Sequence, residues 1–212
     1  MTWIKICGTT NLEDALTAVE AGADALGFVF AESPRKVMPE VVANIVPHLP
    51  PAVEKIGVFV SESSEQICAI AKQTGLTAAQ LHRPKFMPRD GVAIIPVLHM
   101  SEIEHHTSLS FPHPIRAILL DSGNSDKGGG TGRRFDWEAA RQFLAKANLS
   151  DDFKIIIAGG LDPDNVGEAI ELFHPFGVDV VSGVEQKRGK KEPDKVRAFI
   201  AAVRAADARM VV

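Results

Sequence analysis

Eight short runs of β-forming residues alternate with stretches whose apolar residues recur at helical spacing, from one end of the chain to the other. A strand followed by a helix must return before the next strand can pair with it. The alternation therefore specifies a parallel sheet built from βαβ units, not a set of hairpins. The spacing predicts strands over residues 3–7, 25–30, 55–60, 78–82, 92–98, 115–121, 154–158 and 178–181. An open doubly wound sheet usually uses five or six strands, so eight in a chain of 212 residues favours closure into a (β/α)8 TIM barrel at the small end of that fold's range. A single catalytic domain over residues 1–212 is the expectation.

Local signals support the division. Thr10 with Glu13 reads as a capping box ahead of Leu12, Ala15, Leu16 and Val19, and Gly22 ends that helix. A second helix follows Pro39. Ser63 with Gln66 caps a third, which carries Ile67, Ile70 and Ala71 on one face. Asp136 reads as the cap of a helix bearing Ala139, Ala140, Phe143 and Leu144. Asp162 and Pro163 read as an N-cap and first helical residue ahead of Val166, Ala169, Ile170 and Phe173. Val196, Phe199, Ile200 and Val203 mark the last helix. Residues 83–90 hold two prolines and make a poor helix. Gly22-Ala-Asp24-Ala-Leu-Gly27 is faintly echoed by Gly177-Val-Asp179-Val-Val-Ser-Gly183, as repeated units would allow.

Composition excludes several function classes. A net charge of −4 lacks the basic surface that polynucleotide binding requires, so no nucleic-acid partner is expected. The longest apolar runs are strand-sized, far short of the roughly 20 residues of a membrane helix. Two cysteines and a start without a long apolar leader suit a reducing cytoplasm. The seven histidines have no metal-motif spacing and no H-E-x-x-H or C-x-x-C occurs, so no metal is expected. No G-x-G-x-x-G follows the first strand, Gly128–Gly132 lacks the Gly-Lys-Ser/Thr of a P-loop, and no G-x-S-x-G elbow is present.

In a closed barrel the active site lies where strands hand over to loops at their carboxyl ends. The seventh and eighth strands end in Gly159-Gly160 and Ser182-Gly183. Small residues let backbone N–H groups approach an oxyanion, and a helix beginning at Gly183 would aim its positive end there, so this pair of ends is read as a phosphate site. The alternative is a pair of plain turns. Cys7 at the first strand end is a candidate general base or nucleophile, or else an inert buried thiol. Period-two alternation places Lys5 on the same face as Cys7. If that face is interior, Lys5 requires a carboxylate, for which Asp179 is the candidate, and its charge would favour a Cys7 thiolate. Asp121 is either a general acid at the barrel mouth or a loop and cap carboxylate. Arg35 in Ser33-Pro34-Arg35 could fork a substrate carboxylate or lie solvated on the surface. Gly128–Gly132 reads as a lid or as a featureless loop.

Taken together, Lys5-Ile-Cys-Gly8, Leu26-Gly-Phe-Val-Phe30 with Ser33-Pro-Arg35, Gln80-Leu-His82, Leu119-Leu-Asp121, Gly129-Gly-Thr-Gly132 with Phe135-Asp-Trp137, Ala158-Gly-Gly-Leu161 and Ser182-Gly-Val-Glu185 resemble the phosphoribosylanthranilate isomerases in order and spacing. The resemblance runs through nearly the whole chain. It implies an Amadori rearrangement of N-(5'-phosphoribosyl)anthranilate to 1-(2-carboxyphenylamino)-1-deoxyribulose 5-phosphate in tryptophan biosynthesis, without metal or organic cofactor. It further implies Asp121 as the acid that opens the ribose ring and Cys7 as the base that removes the C2' proton. Arg35 is implied to hold the anthranilate carboxylate, Gln80 to line the sugar site, and Gly159, Gly160, Ser182 and Gly183 to bind phosphate. A monomer or a homodimer is equally compatible. The chain departs from the family pattern at Gly132-Arg133-Arg134, where Gly-Lys-Thr is usual, at Val181, where serine is frequent, and at Arg83-Pro84 after His82. Competing readings are another phosphosugar barrel, such as an epimerase, an aldolase or the indole-glycerol-phosphate synthase, and a catalytically silent phosphate-binding barrel. The former would want a second acid/base pair, a Schiff-base lysine or a longer chain; the latter would tolerate loss of Cys7 and Asp121.

Overall fold

The computed structural model describes residues 1–82, 92–99, 115–121, 137–146 and 153–210. Eight parallel strands close into a barrel in sequence order: β1 (Trp3–Cys7), β2 (Ala25–Val29), β3 (Glu54–Phe59), β4 (Ala78–Leu81), β5 (Ala93–His99), β6 (Ile118–Asp121), β7 (Ile155–Ala158) and β8 (Gly177–Val180). Helices α1 (Leu12–Ala21), α2 (Pro39–Ile45), α3 (Ser64–Thr74), α4 (Trp137–Lys146) and α5 (Val166–Phe173) lie between strands. A short hairpin of β9 (Glu185–Lys187) and β10 (Lys190–Lys191) precedes the closing helix α6 (Pro193–Met210). Among the described residues no helix is long and apolar enough to cross a membrane.

Period-two alternation divides the apolar residues between two cores. Inward residues Ala25, Ile56, Ala78, Ile95, Val97, Ala117, Leu119, Ile156 and Ala158 fill the barrel. The alternate residues, including Ile4, Ile6, Phe28, Phe59, Ile157 and Val178, pack outward in a larger cluster with Val196, Phe199 and Val203 of α6. Each large aliphatic side chain so buried contributes about 1.5–3 kcal/mol. The amino-terminal end is closed by Trp3 stacked on Phe176, with Lys154 and Arg116 over the Phe176 ring. Arg116 also donates to Glu54 at 2.8 Å, so this end is built for packing.

All eight strands lie within three residues of their expected bounds. The capping box of α3 forms as expected: Gln66 N–H donates to Ser63 Oγ, and Ser63 N–H to Gln66 Oε1. Three helix starts differ. Asn11, not Thr10, caps α1 by accepting from Asp14 N–H, because the Thr10 hydroxyl donates to the Gly189 carbonyl of the distant hairpin. Asp162 accepts from the N–H groups of Asp164 and Asn165 and so fixes a turn, which delays α5 to Val166. The helix expected at Gly183 is a three-residue 3-10 turn, Ser182–Val184, because the chain then turns into the hairpin. Asp136, residues 83–90 and Gly128–Gly132 lie outside the described residues.

Candidate active site

Lys5 and Cys7 both point into the barrel, and the neighbouring strand must make room for them. Gly27 provides it: a Cβ there would lie 2.5 Å from Cys7 Sγ and 3.0 Å from Lys5 Cε. Lys5 is fully buried and its Nζ lies 2.9 Å from Asp179 Oδ1, with β1 and β8 in the register that pairs these residues. The ammonium also donates to Gln80 Oε1 at 2.9 Å. Burial is the largest single influence on the Lys5 pKa and would lower it, but the charges of Asp179 and Cys7 and the hydrogen bonds to both together outweigh it, and the net direction is up. The expected pairing of Lys5 with Asp179 is therefore present.

Lys5 also favours the Cys7 thiolate as expected, but other influences outweigh it. Burial pushes its thiol up, and Asp179 adds to that, while Lys5 and Lys191 pull it down; the net shift is upward. With Asp179 neutralising it, the Lys5 charge is too small to offset desolvation, so the substrate-free site favours the thiol.

At the same end, the chain after β2 brings in Arg35, which is buried, not solvated. Its Nε and Nη2 each donate to one Glu185 oxygen at 2.8 Å. The Glu185 bond raises the Arg35 pKa; burial would raise that of Glu185, but Arg35 and Lys191 hold the carboxyl below its ordinary value. Lys191 Nζ donates to the carbonyls of Cys7 at 2.5 Å and Val181 at 3.1 Å. The hairpin thus fastens the ends of β1 and β8 together. Gly8 adopts φ +75°, and a Cβ there would lie 2.8 Å from Arg35 Cδ.

Across the mouth, Gln80, His82, His99 and Asp121 come from the ends of β4, β5 and β6, and all are buried. Gln80 Nε2 lies 3.1 Å from His82 Nε2, and His82 Nδ1 lies 3.4 Å from His99 Nε2. Burial, reinforced by His99 and Lys5, lowers the His82 pKa to about 3. His82, His99 and Asp121 each bring a donor atom within 4.8 Å of the other two, a spacing that a divalent ion could use.

Cys7, Arg35, Gln80, His82, Asp121 and Asp179 share the wall of one cleft of about 680 Å³, part of it open to solvent. Gly159, Gly160, Ser182 and Gly183 do not line it. They form an adjoining corner in which Gly159 and Gly160 have φ +89° and +70°, and Gly183 packs so closely on β7's loop that a Cβ would lie 2.0 Å from the Leu161 carbonyl. Sequence reasoning assigned no role to His82, His99, Glu185 or Lys191. The first two could have been found from histidines at two neighbouring strand ends, and Glu185 from its place after Ser182-Gly-Val.

A thiol and a carboxyl group in one small cleft suit proton transfers between neighbouring atoms of a single small molecule, which is the chemistry of the barrel isomerases. Residues 4–202 match the family model described as N-(5'phosphoribosyl)anthranilate (PRA) isomerase. The N-(5'-phosphoribosyl)anthranilate isomerase of Pelobacter propionicus is 47% identical over 204 residues, covering 93% of each chain. The phosphoribosyl anthranilate isomerase structure from Thermotoga maritima superposes with a TM-score of 0.81 at 36% identity, over 97% of this chain and 100% of that one. A structure of the same enzyme type in complex with reduced 1-(o-carboxyphenylamino)-1-deoxyribulose 5-phosphate gives 0.78 at 34% identity, with the same coverage. The chain belongs to the N-(5'-phosphoribosyl)anthranilate isomerase family, whose reaction is a step of tryptophan biosynthesis.

Proposed function

We propose that the cleft performs the family's Amadori rearrangement with Asp121 as acid and Cys7 as base. The observation that carries this reading is that the two groups, on β6 and β1, line one cleft together with Arg35. Asp121 donates a proton to the ribose ring oxygen as the C1'–O bond breaks, and the anthranilate nitrogen lone pair forms the C1' iminium. The iminium acidifies the C2' proton, which passes to Cys7 sulfur, and the C–H electrons form the enolamine. Tautomerisation, with a proton delivered to C1', gives the 2'-ketone. Cys7 can take that proton only as the thiolate, which burial disfavours before ring opening, so the thiol's own proton first leaves to water through the open side of the cleft. The iminium supplies an opposite charge beside it at the step that requires one.

Arg35 binds the anthranilate carboxylate. Its Nη1 has no partner among the described residues, while Glu185 holds Nε and Nη2, so the guanidinium is presented in one orientation. Gln80 lines the sugar site, and backbone N–H groups of Gly159, Gly160, Ser182 and Gly183 take the phosphate. The catalytic unit is one domain over residues 1–212, working in the cytoplasm as a monomer or homodimer without nucleic-acid partners.

The test makes the substrate in situ from anthranilate and phosphoribosyl pyrophosphate with the preceding transferase, and follows loss of anthranilate-type fluorescence. Turnover by the purified protein is expected; none would sink the assignment.

A further inference from the structure

An ammonium only donates hydrogen bonds, so Lys5 requires that Gln80 present Oε1 to it. The Gln80 amide nitrogen then faces His82 Nε2 at 3.1 Å. That nitrogen also only donates, so His82 Nε2 is the bare, accepting nitrogen. A ring bare at Nε2 is uncharged and keeps its proton on Nδ1. His82 Nδ1 in turn faces His99 Nε2 at 3.4 Å, which therefore accepts, and His99 is uncharged as well. One buried cation sets every donor and acceptor along the line from Asp179 to His99.

We propose that Gln80, oriented by Lys5, is a positioning residue for the isomerisation, holding His82 as its Nδ1–H tautomer and keeping His82 and His99 uncharged beside Asp121. The role given to Asp121 rests on the reading above. His99 is the register partner of Asp121 across β5 and β6, and the donor atoms of His82, His99 and Asp121 lie within 4.8 Å of one another. An imidazolium so close would favour the carboxylate and remove the proton that ring opening consumes. Glutamine is suited to this task because it accepts at one end and donates at the other. Glutamate of the same shape would accept at both, so His82 would carry its proton on Nε2 and donate it to the carboxylate, reversing the line.

The experiment uses protein labelled with ¹⁵N in its histidine rings, without substrate, and two-bond ¹H–¹⁵N spectra that identify the protonated nitrogen of each ring. In the wild type, His82 is expected as the neutral Nδ1–H form and His99 with a bare Nε2. Gln80→Glu moves the His82 proton to Nε2 and lowers kcat at least ~10-fold, with KM changed less than ~3-fold. Gln80→Met, which brings no charge into the barrel, leaves His82 without a single preferred tautomer. A His82 imidazolium or Nε2–H form in the wild type overturns the proposal. So does an unaltered tautomer in Gln80→Glu, or a raised KM with kcat intact, which would make Gln80 a substrate contact alone. The spectra involve no turnover, so an active Asp121→Asn enzyme would refute the acid assignment separately.

Discussion

Gly27→Ala tests the packing that aims the proposed base. The added Cβ would stand 2.5 Å from Cys7 Sγ, and 3.0 Å from both Cys7 Cβ and Lys5 Cε. Unstrained non-bonded contacts lie at about 3.5–4.0 Å, so the thiol must retreat by about 1 Å. It can do so only toward the cleft it lines, away from its packed position. Cys7 is 3% exposed, and Lys5 beside it is fully buried and held by Asp179 and Gln80. Overpacking of this kind costs about 1–3 kcal/mol, and for a chain of this length each kcal/mol lowers Tm by roughly 2–4 °C. A reacting group displaced by 1 Å loses on the order of 100-fold in rate. The expected result is a folded barrel with a modestly lower Tm by calorimetry and a kcat reduced on the order of 100-fold in the fluorescence assay. Gly167→Ala on α5 is the control, since its Cβ meets only the terminal Nη2 of Arg209; kcat should hold. A Gly27→Ala enzyme with kcat within about 3-fold of wild type would refute the reasoning.

Lys5→Met leaves Asp179 buried without its cation, and should cost about 3–5 kcal/mol by urea denaturation, with much of the loss recovered in Lys5→Met/Asp179→Leu. His82 has a folded pKa of about 3 against an unfolded value near 6.5, so between these the unfolded chain binds a proton that the native protein refuses. Its contribution is fully present above pH 6.5 and falls as pH drops toward 3, by up to about 1.4 kcal/mol per unit; His82→Asn should flatten the urea midpoint between pH 7 and 5. Arg35→Ala should raise KM more than it lowers kcat, and an unchanged KM would contradict the carboxylate anchor.

Much of this barrel could be read from period and polarity. Lys5 among isoleucines on β1 demanded an inward anion, and Asp179 stood on the strand that closure brings beside it. The hairpin could not be read that way. Glu185 to Lys191 is polar throughout and shows no apolar alternation, and its hold on the barrel is through Lys191 to the Cys7 carbonyl, across most of the chain. Asn11 displaced Thr10 as a cap for the same reason, a partner remote in sequence. The His82–His99 contact depends on the stagger of β4 against β5, which no local pattern encodes. For Cys7 the sign of the Lys5 effect was right, but desolvation exceeds it.

In the proposed mechanism Cys7 and Asp121 act as base and acid on one substrate. Steady-state kcat for Cys7→Ala and Asp121→Asn, each shown to fold by circular dichroism, tests it most directly. Each variant should lose at least ~100-fold. A folded variant of either residue that turns over at near wild-type rate would contradict it.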